Sequence, residues 1–141
     1  MGELEDLLHS GRLKKATIAG DIVRKEFRVA RSDLDSSRVS LESGNTKWAT
    51  IQAYFSIFHG ARALIFQEGY REESHSAMKR ALKILFVDCE KLPSSVLDTL
   101  ERGMNLREIA DYKEDFSEQS ANRLIQGVAE SLELIEPLIM R

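Results

Sequence analysis

The chain has 141 residues, 43% hydrophobic and 30% charged, which is the balance of one globular domain with its own core rather than of a disordered segment. A formal net charge of −3 and a pI near 5.7 argue against recognition of nucleic acid through bulk charge, and DNA is the least expected partner. Cys89 is the single cysteine, which excludes an intrachain disulfide and a cysteine zinc cluster; its expected role is a small core residue in a reducing cytoplasm.

In chain order, Leu4, Leu7 and Leu8 predict a short leading helix closed near Ser10-Gly11, so that residues 1–11 form a helix and loop ahead of the main body. Val23, Phe27, Ala30, Leu34, Ser37 and Leu41 recur at spacings of four and three. They predict a long helix from about Thr17 to Glu42, ended by Ser43-Gly44-Asn45. The next helix, from about Thr46 to Glu68, carries two apolar stripes. Trp48, Ile51, Phe55, Phe58 and Ile65 form one, and Ala53, Ile57, Ala61 and Leu64 the other. A helix apolar on two faces belongs at the centre of a fold, and Gly69 is suited to cap it in the left-handed conformation.

Ser74 is the expected N-cap of a helix from His75 to about Cys89, with Met78, Leu82, Leu85 and Phe86 on one side. Pro93 interrupts the pattern, and Ser94 or Ser95 can start a segment through Leu97, Leu100 and Met104 to Ile109 that continues or bends the preceding helix. The last helix starts near Ser117 and has a core face of Leu124, Val128, Ile135 and Leu138. No strand-like alternation occurs. The whole chain is expected to be all-α, a single up-and-down bundle of four to five helices. No apolar run approaches the ~20 residues of a membrane span, and the acidic N-terminus lacks the order of a secretion signal. A cytoplasmic protein without membrane contact is the expectation.

Three polar groupings stand out. Arg107 and Asp111 lie four apart beside Tyr112, where the helical pattern ends. They can pair as a surface ion pair of ~0.3 kcal/mol or form part of a site. His59 and Arg62 share the central helix with Phe55 and Phe58; they can line a cleft that holds an anion, or be a hydrogen-bonded core histidine and an outward-reaching arginine. His75, at a helix start, is disfavoured as a cation and is expected to be neutral, binding a ligand or anchoring the loop. His9, His59 and His75 lack metal-ligand spacing, so neither a metal nor another cofactor is expected. Phosphate-loop, dinucleotide-turn and nucleophile-elbow motifs are absent from the sequence.

The segment Ala53-Tyr54-Phe55-Ser56-Ile57-Phe58-His59-Gly60-Ala61-Arg62-Ala63-Leu64-Ile65 resembles the second-helix signature of the HEPN domain, a family named for higher eukaryotes, prokaryotes and nucleotide binding. Gly69-Tyr70 with Ser74-His75 resembles the block that follows in that family, and Arg107-Glu108-Ile109-Ala110-Asp111-Tyr112 its third block. The resemblance implies a helical homodimer, often paired with a minimal nucleotidyltransferase as toxin and antitoxin. It also implies, for active members, metal-independent ribonuclease activity with an Arg and, four to six residues later, a His. Here Ala110 stands where that His is expected, and Arg107 lies too close to it. The resemblance therefore implies a non-catalytic or degenerate member that binds a partner protein, a nucleotide or RNA through Arg107, Asp111, Tyr112, Arg62, His59, Tyr54 and His75. A ribonuclease with a displaced site and a purely structural bundle are the alternatives.

Overall fold

The computed structural model describes residues 2–112 and 117–140; the side chains of Ala110, Asp111 and Tyr112 lie outside that description. The described residues are mainly helical, with one small two-stranded ribbon. Helix α1 (Glu3–His9) leads into strand β1 (Leu13–Lys15), followed by α2 (Gly20–Glu42) and α3 (Thr46–Gln67). Strand β2 (Tyr70–Glu72), α4 (His75–Leu82), α5 (Ser94–Tyr112) and α6 (Glu118–Ile135) complete the order. Helices α2, α3, α5 and α6 make an all-α bundle, the fold class that the sequence pattern predicts. No described helix is long and apolar enough to cross a membrane.

Helix α3 is the central element and packs against α2, α5 and α6. Its Ala53, Ile57, Ala61 and Leu64 stripe is fully buried, and Ile51, Phe58 and Ile65 of the other stripe are buried as well. Small residues let the neighbours come close. A methyl group on Gly60 would stand 2.7 Å from the Leu132 side chain of α6, and one on Gly103 of α5 would stand 3.0 Å from the Tyr54 ring. Trp48 departs from the stripe it was assigned to: it lies on the first turn of α3 and is 52% exposed.

Local end signals act as expected. Gly69 adopts φ +88° after α3, and Gly44 φ +80° after α2. The Ser74 hydroxyl accepts from the Ala77 amide at 3.1 Å, and Ser117 from the Ser120 amide at 3.0 Å.

Five further details differ from the sequence reading. Helix α2 starts at Gly20, not Thr17. Strands β1 and β2 pair antiparallel, with Leu13 opposite Glu72 and Lys15 opposite Tyr70; three residues are too few to show an alternation. The helix that begins at His75 ends at Leu82 and passes into a π-helical turn (Lys83–Val87), closed by the Asp88 amide donating to the Lys83 carbonyl at 2.8 Å. Helix α5 is then a bundle helix in its own right, packed on α3 and α6, rather than an extension of α4. Cys89 falls beyond the π turn and is exposed, its thiol 2.9 Å from the Leu85 carbonyl, so it is not a core residue.

Candidate functional site

Helical spacing lines up two rows of side chains on α3: Tyr54, Phe58, Arg62 and Phe66 in one, Phe55 and His59 in the other. Three other elements bring polar groups to these rows. Helix α2 contributes Glu26 and Asp33, the ribbon contributes Glu72 and leads directly into His75 at the start of α4, and α5 contributes Arg107.

At one end of the rows the Tyr54 hydroxyl and His75 Nδ1 are 2.5 Å apart. The His75 ring packs on Phe58 with centroids 4.5 Å apart, and the guanidinium of Arg107 lies 5.0 Å from the Phe55 ring centroid and 5.5 Å from that of Tyr54. Burial pushes the Tyr54 phenol up to about 12, against the opposing charge and hydrogen bonding of Arg107. The same burial, reinforced by the charges of Arg107 and Arg62, holds His75 below the usual imidazole range. Near neutral pH the pair is therefore an un-ionised phenol and a neutral imidazole. A neutral phenol can donate to Nδ1 of the neutral imidazole, an arrangement that leaves the imidazole proton on Nε2.

At the other end Arg62 Nε donates to both carboxylate oxygens of Glu72, at 2.8 and 3.2 Å, while its guanidinium lies 5.3 Å from the ring centroids of Phe58 and Phe66. The Glu72 side chain is only 2% exposed, because the strand register turns it inward. His59 Nδ1 lies 2.6 Å from a Glu26 oxygen, which is also 3.8 Å from Arg62 Nη1; His59 Nε2 faces Asp33 at 3.8 Å. Burial, together with the neighbouring Glu26 charge, raises Asp33 above the usual carboxylate range although His59 opposes it.

Of the residues singled out in the sequence, Tyr54, His59, Arg62, His75 and Arg107 thus gather along one side of α3. Arg107 is turned onto aromatic rings of α3, and Arg62 reaches inward to Glu72 rather than out to solvent. The Asp111 and Tyr112 side chains lie outside the described residues. Glu26, Asp33 and Glu72 complete the network and were not picked from the sequence. Glu26 and Asp33, seven apart beside the apolar face of α2, carried a readable signal; Glu72 carried none, since its inward direction depends on pairing with β1. Among the described residues, no group of three or more His, Cys, Asp or Glu is placed to hold a metal ion.

The three blocks on α3, on the turn into α4 and on α5 now stand as one assembly, and the match to known proteins covers all of them. The HEPN domain model matches residues 23–138. The chain belongs to the HEPN domain family. UPF0332 protein PH1297 of Pyrococcus horikoshii is 32% identical over 66 residues, 47% of this chain and 46% of that protein's length, so the chain spans less than half of that relative. The protein named "Putative toxin MJ0605" of Methanocaldococcus jannaschii is 25% identical over 115 residues, 79% of this chain and 86% of that protein.

Proposed function

We propose that this HEPN protein binds a phosphate-bearing ligand, a nucleotide or RNA, at Tyr54, His75 and Arg107 without cleaving it. It does so as a homodimer that pairs with a small nucleotidyltransferase in a toxin–antitoxin-like module. The observation that carries the binding reading is Arg107 laid on the Tyr54 and Phe55 rings, with neutral His75 hydrogen-bonded to the same Tyr54. An arginine positioned by aromatic faces keeps its planar fork aligned for phosphate oxygens. His59 and Arg62 flank this set on the same helix, and Asp111 and Tyr112 follow Arg107 in sequence.

Binding is favoured over cleavage on chemical grounds. Acid–base cleavage of RNA needs an imidazole that exchanges protons near neutral pH, a role typically worth ~10²–10⁴-fold in rate. Ala110 occupies the position where the family pattern has that imidazole. His75, whose imidazole feels the charge of Arg107, has its basicity reduced and its Nδ1 engaged by Tyr54. The toxin–antitoxin part of the reading is supported by the name of the Methanocaldococcus relative and by the family resemblance.

The test is a labelled single-stranded oligoribonucleotide titrated with the purified chain, with product analysis on a gel. Intact RNA should be bound, and Arg107→Ala should weaken binding about tenfold, the loss of one charge-assisted contact. Cleavage that disappears in both Arg107→Ala and His75→Ala overturns the binding-only reading. It would establish the alternative, a ribonuclease with a displaced site, in which Arg107 and His75, the two residues that contact Tyr54, would do the chemistry. Co-purification with the product of an adjacent nucleotidyltransferase gene tests the pairing.

A further inference from the structure

One stretch of this acidic chain is wholly basic. Between Ser74 and Val87 lie Lys79, Arg80 and Lys83 and no Asp or Glu, although the net charge of the chain is −3. These three side chains line one wall of a groove between α4 and α5, and Glu101 and Met104 belong to the other. Lys79 lies in the last turn of α4, and Lys83, four residues on, is its C-cap. The groove has a volume of about 390 Å³, the size of a small-ligand site, so it has room for an inserted side chain rather than for a whole helix.

Each cation rests on a carboxylate. Lys79 Nζ lies 3.1 Å from Glu101, Arg80 Nε 3.1 Å from Glu3, and Lys83 Nζ 3.1 and 3.3 Å from the two Asp88 oxygens. All three carboxylates are about half exposed, so the pairs are weak and open to exchange. The Glu3 contact shows which kind of element this basic stretch accepts. Glu3 belongs to α1, a short helix with Glu3, Glu5 and Asp6 in its first turn and Leu7 buried. An acidic helix with an apolar side is thus already tied to α4 at Arg80, and Lys79 and Lys83 offer the same chemistry to the groove.

The Met104 thioether and the aliphatic stems of the cations give the groove an apolar, adaptable lining. Among the described residues no aromatic ring lines it, so it has no platform on which a nucleobase could stack. The lining therefore favours a protein side chain over nucleic acid.

We infer that this groove docks an acidic amphipathic helix of a partner protein. Carboxylates one turn apart on that helix take Lys79 and Lys83 from Glu101 and Asp88, and an apolar side chain on the same face enters the groove against Met104. The inference rests neither on ligand binding at Arg107 nor on the partner's being a nucleotidyltransferase.

The probe is a fluorescein-labelled, alanine-based helical peptide of about 15 residues, long enough to hold a helix, with two Glu four apart and a Leu three residues after the first. Anisotropy is read as the full chain is added. The peptide should bind, and versions with Gln for both Glu, or with Ala for Leu, should each bind about tenfold more weakly. Lys83→Glu, a change at a half-exposed side chain, should weaken the Glu peptide about tenfold and favour a version carrying two Lys instead. Met104→Ala should weaken the Leu peptide and leave the Ala version unchanged, which gives a second reading that does not depend on charge. Absence of peptide binding, equal affinity for the Glu and Gln versions, or unchanged affinity in both chain variants overturns the inference. An oligoribonucleotide that displaces the peptide and itself binds more weakly to Lys83→Glu assigns the groove to RNA and overturns it as well.

Discussion

The Tyr54 hydroxyl and His75 Nδ1 meet at 2.5 Å although they lie on different helices, α3 and α4, joined through strand β2. The contact ties the orientation of the imidazole to the central helix and, through the Tyr54 ring, to Arg107 on α5. One hydrogen bond therefore links three elements of the candidate site.

Tyr54→Phe removes that hydroxyl with little change in volume. A hydrogen bond donated to Nδ1 favours the neutral imidazole, so its loss should raise the His75 pKa toward the ordinary histidine value. The rise stops short of that value because burial and the charges of Arg107 and Arg62 remain. An NMR titration of the His75 ring reads the shift; a pKa that falls or stays fixed contradicts the proposed donor direction. The accompanying loss of stability should be about 1 kcal/mol, the net worth of a neutral hydrogen bond.

The depressed His75 pKa also makes a statement about folding. In the unfolded chain the imidazole takes a proton near its ordinary pKa of 6.5, while in the folded chain it resists doing so. The His75 contribution is thus fully present above pH ~6.5 and is lost as pH falls from there through the lower folded value. Urea unfolding at pH 7.5 and 5.5 should show the loss in the wild type, and a smaller one in His75→Gln. Equal losses in the two proteins would remove His75 as the source.

Much of the site was visible in the sequence because its residues interrupt a periodic pattern: His59 and Arg62 fall within an apolar helix, and Arg107 near the end of another. Gly69, Ser74 and Ser117 were legible for the same local reason, since a cap depends on three or four consecutive residues. What could not be read depends on distant pairing. The inward turn of Glu72 follows from its register with Leu13, fifty-odd residues earlier in the chain, and that register in turn places His75 against Tyr54. The π turn at Lys83–Val87 likewise leaves no simple periodic mark.

Asp33 carries the opposite sign from His75. Its raised pKa means that ionised Asp33 is less favourable in the folded chain than in the unfolded one. The associated stability is present below its ordinary pKa of 3.8 and is lost as pH rises through the folded value. Asp33→Asn should therefore leave the chain as stable as the wild type, or more stable, at pH 7, with the difference closing near pH 4. Thermal melts at the two pH values check it, and marked destabilisation at pH 7 would show that the attraction to His59 outweighs burial.

Arg62 and Glu72 form the most buried ion pair described. Removing Arg62 strands a carboxylate that is 2% exposed, whereas Arg62 itself is one-third exposed. Arg62→Leu should cost about 3 kcal/mol, the low end for breaking a buried pair because solvent reaches the guanidinium. Arg62→Leu with Glu72→Leu should recover most of that loss, since neither variant then buries a lone charge. A urea double-mutant cycle measures the coupling, and strictly additive losses would mean the pair is not coupled.

Gly103 tests whether the close approach of α5 and α3 matters for the site. A methyl group there would stand 3.0 Å from Tyr54 Cδ1 and 3.5 Å from its Cβ, so either the ring or helix α5 must shift by a few tenths of an ångström. The ring is held by its hydroxyl on His75 and covered by Arg107, which leaves it little freedom to turn away. Helix propensity favours alanine over glycine by ~1 kcal/mol, while overpacking a fixed neighbour costs ~1–3 kcal/mol, so Gly103→Ala should be neutral to moderately destabilising. Its effect on the site should be larger than its effect on the fold, because Arg107 lies one turn further along the same helix and moves with it. The expected outcome is weaker oligoribonucleotide binding and a changed His75 titration at nearly wild-type stability. If binding and titration are both unchanged, the exact placement of α5 against Tyr54 does not control the site.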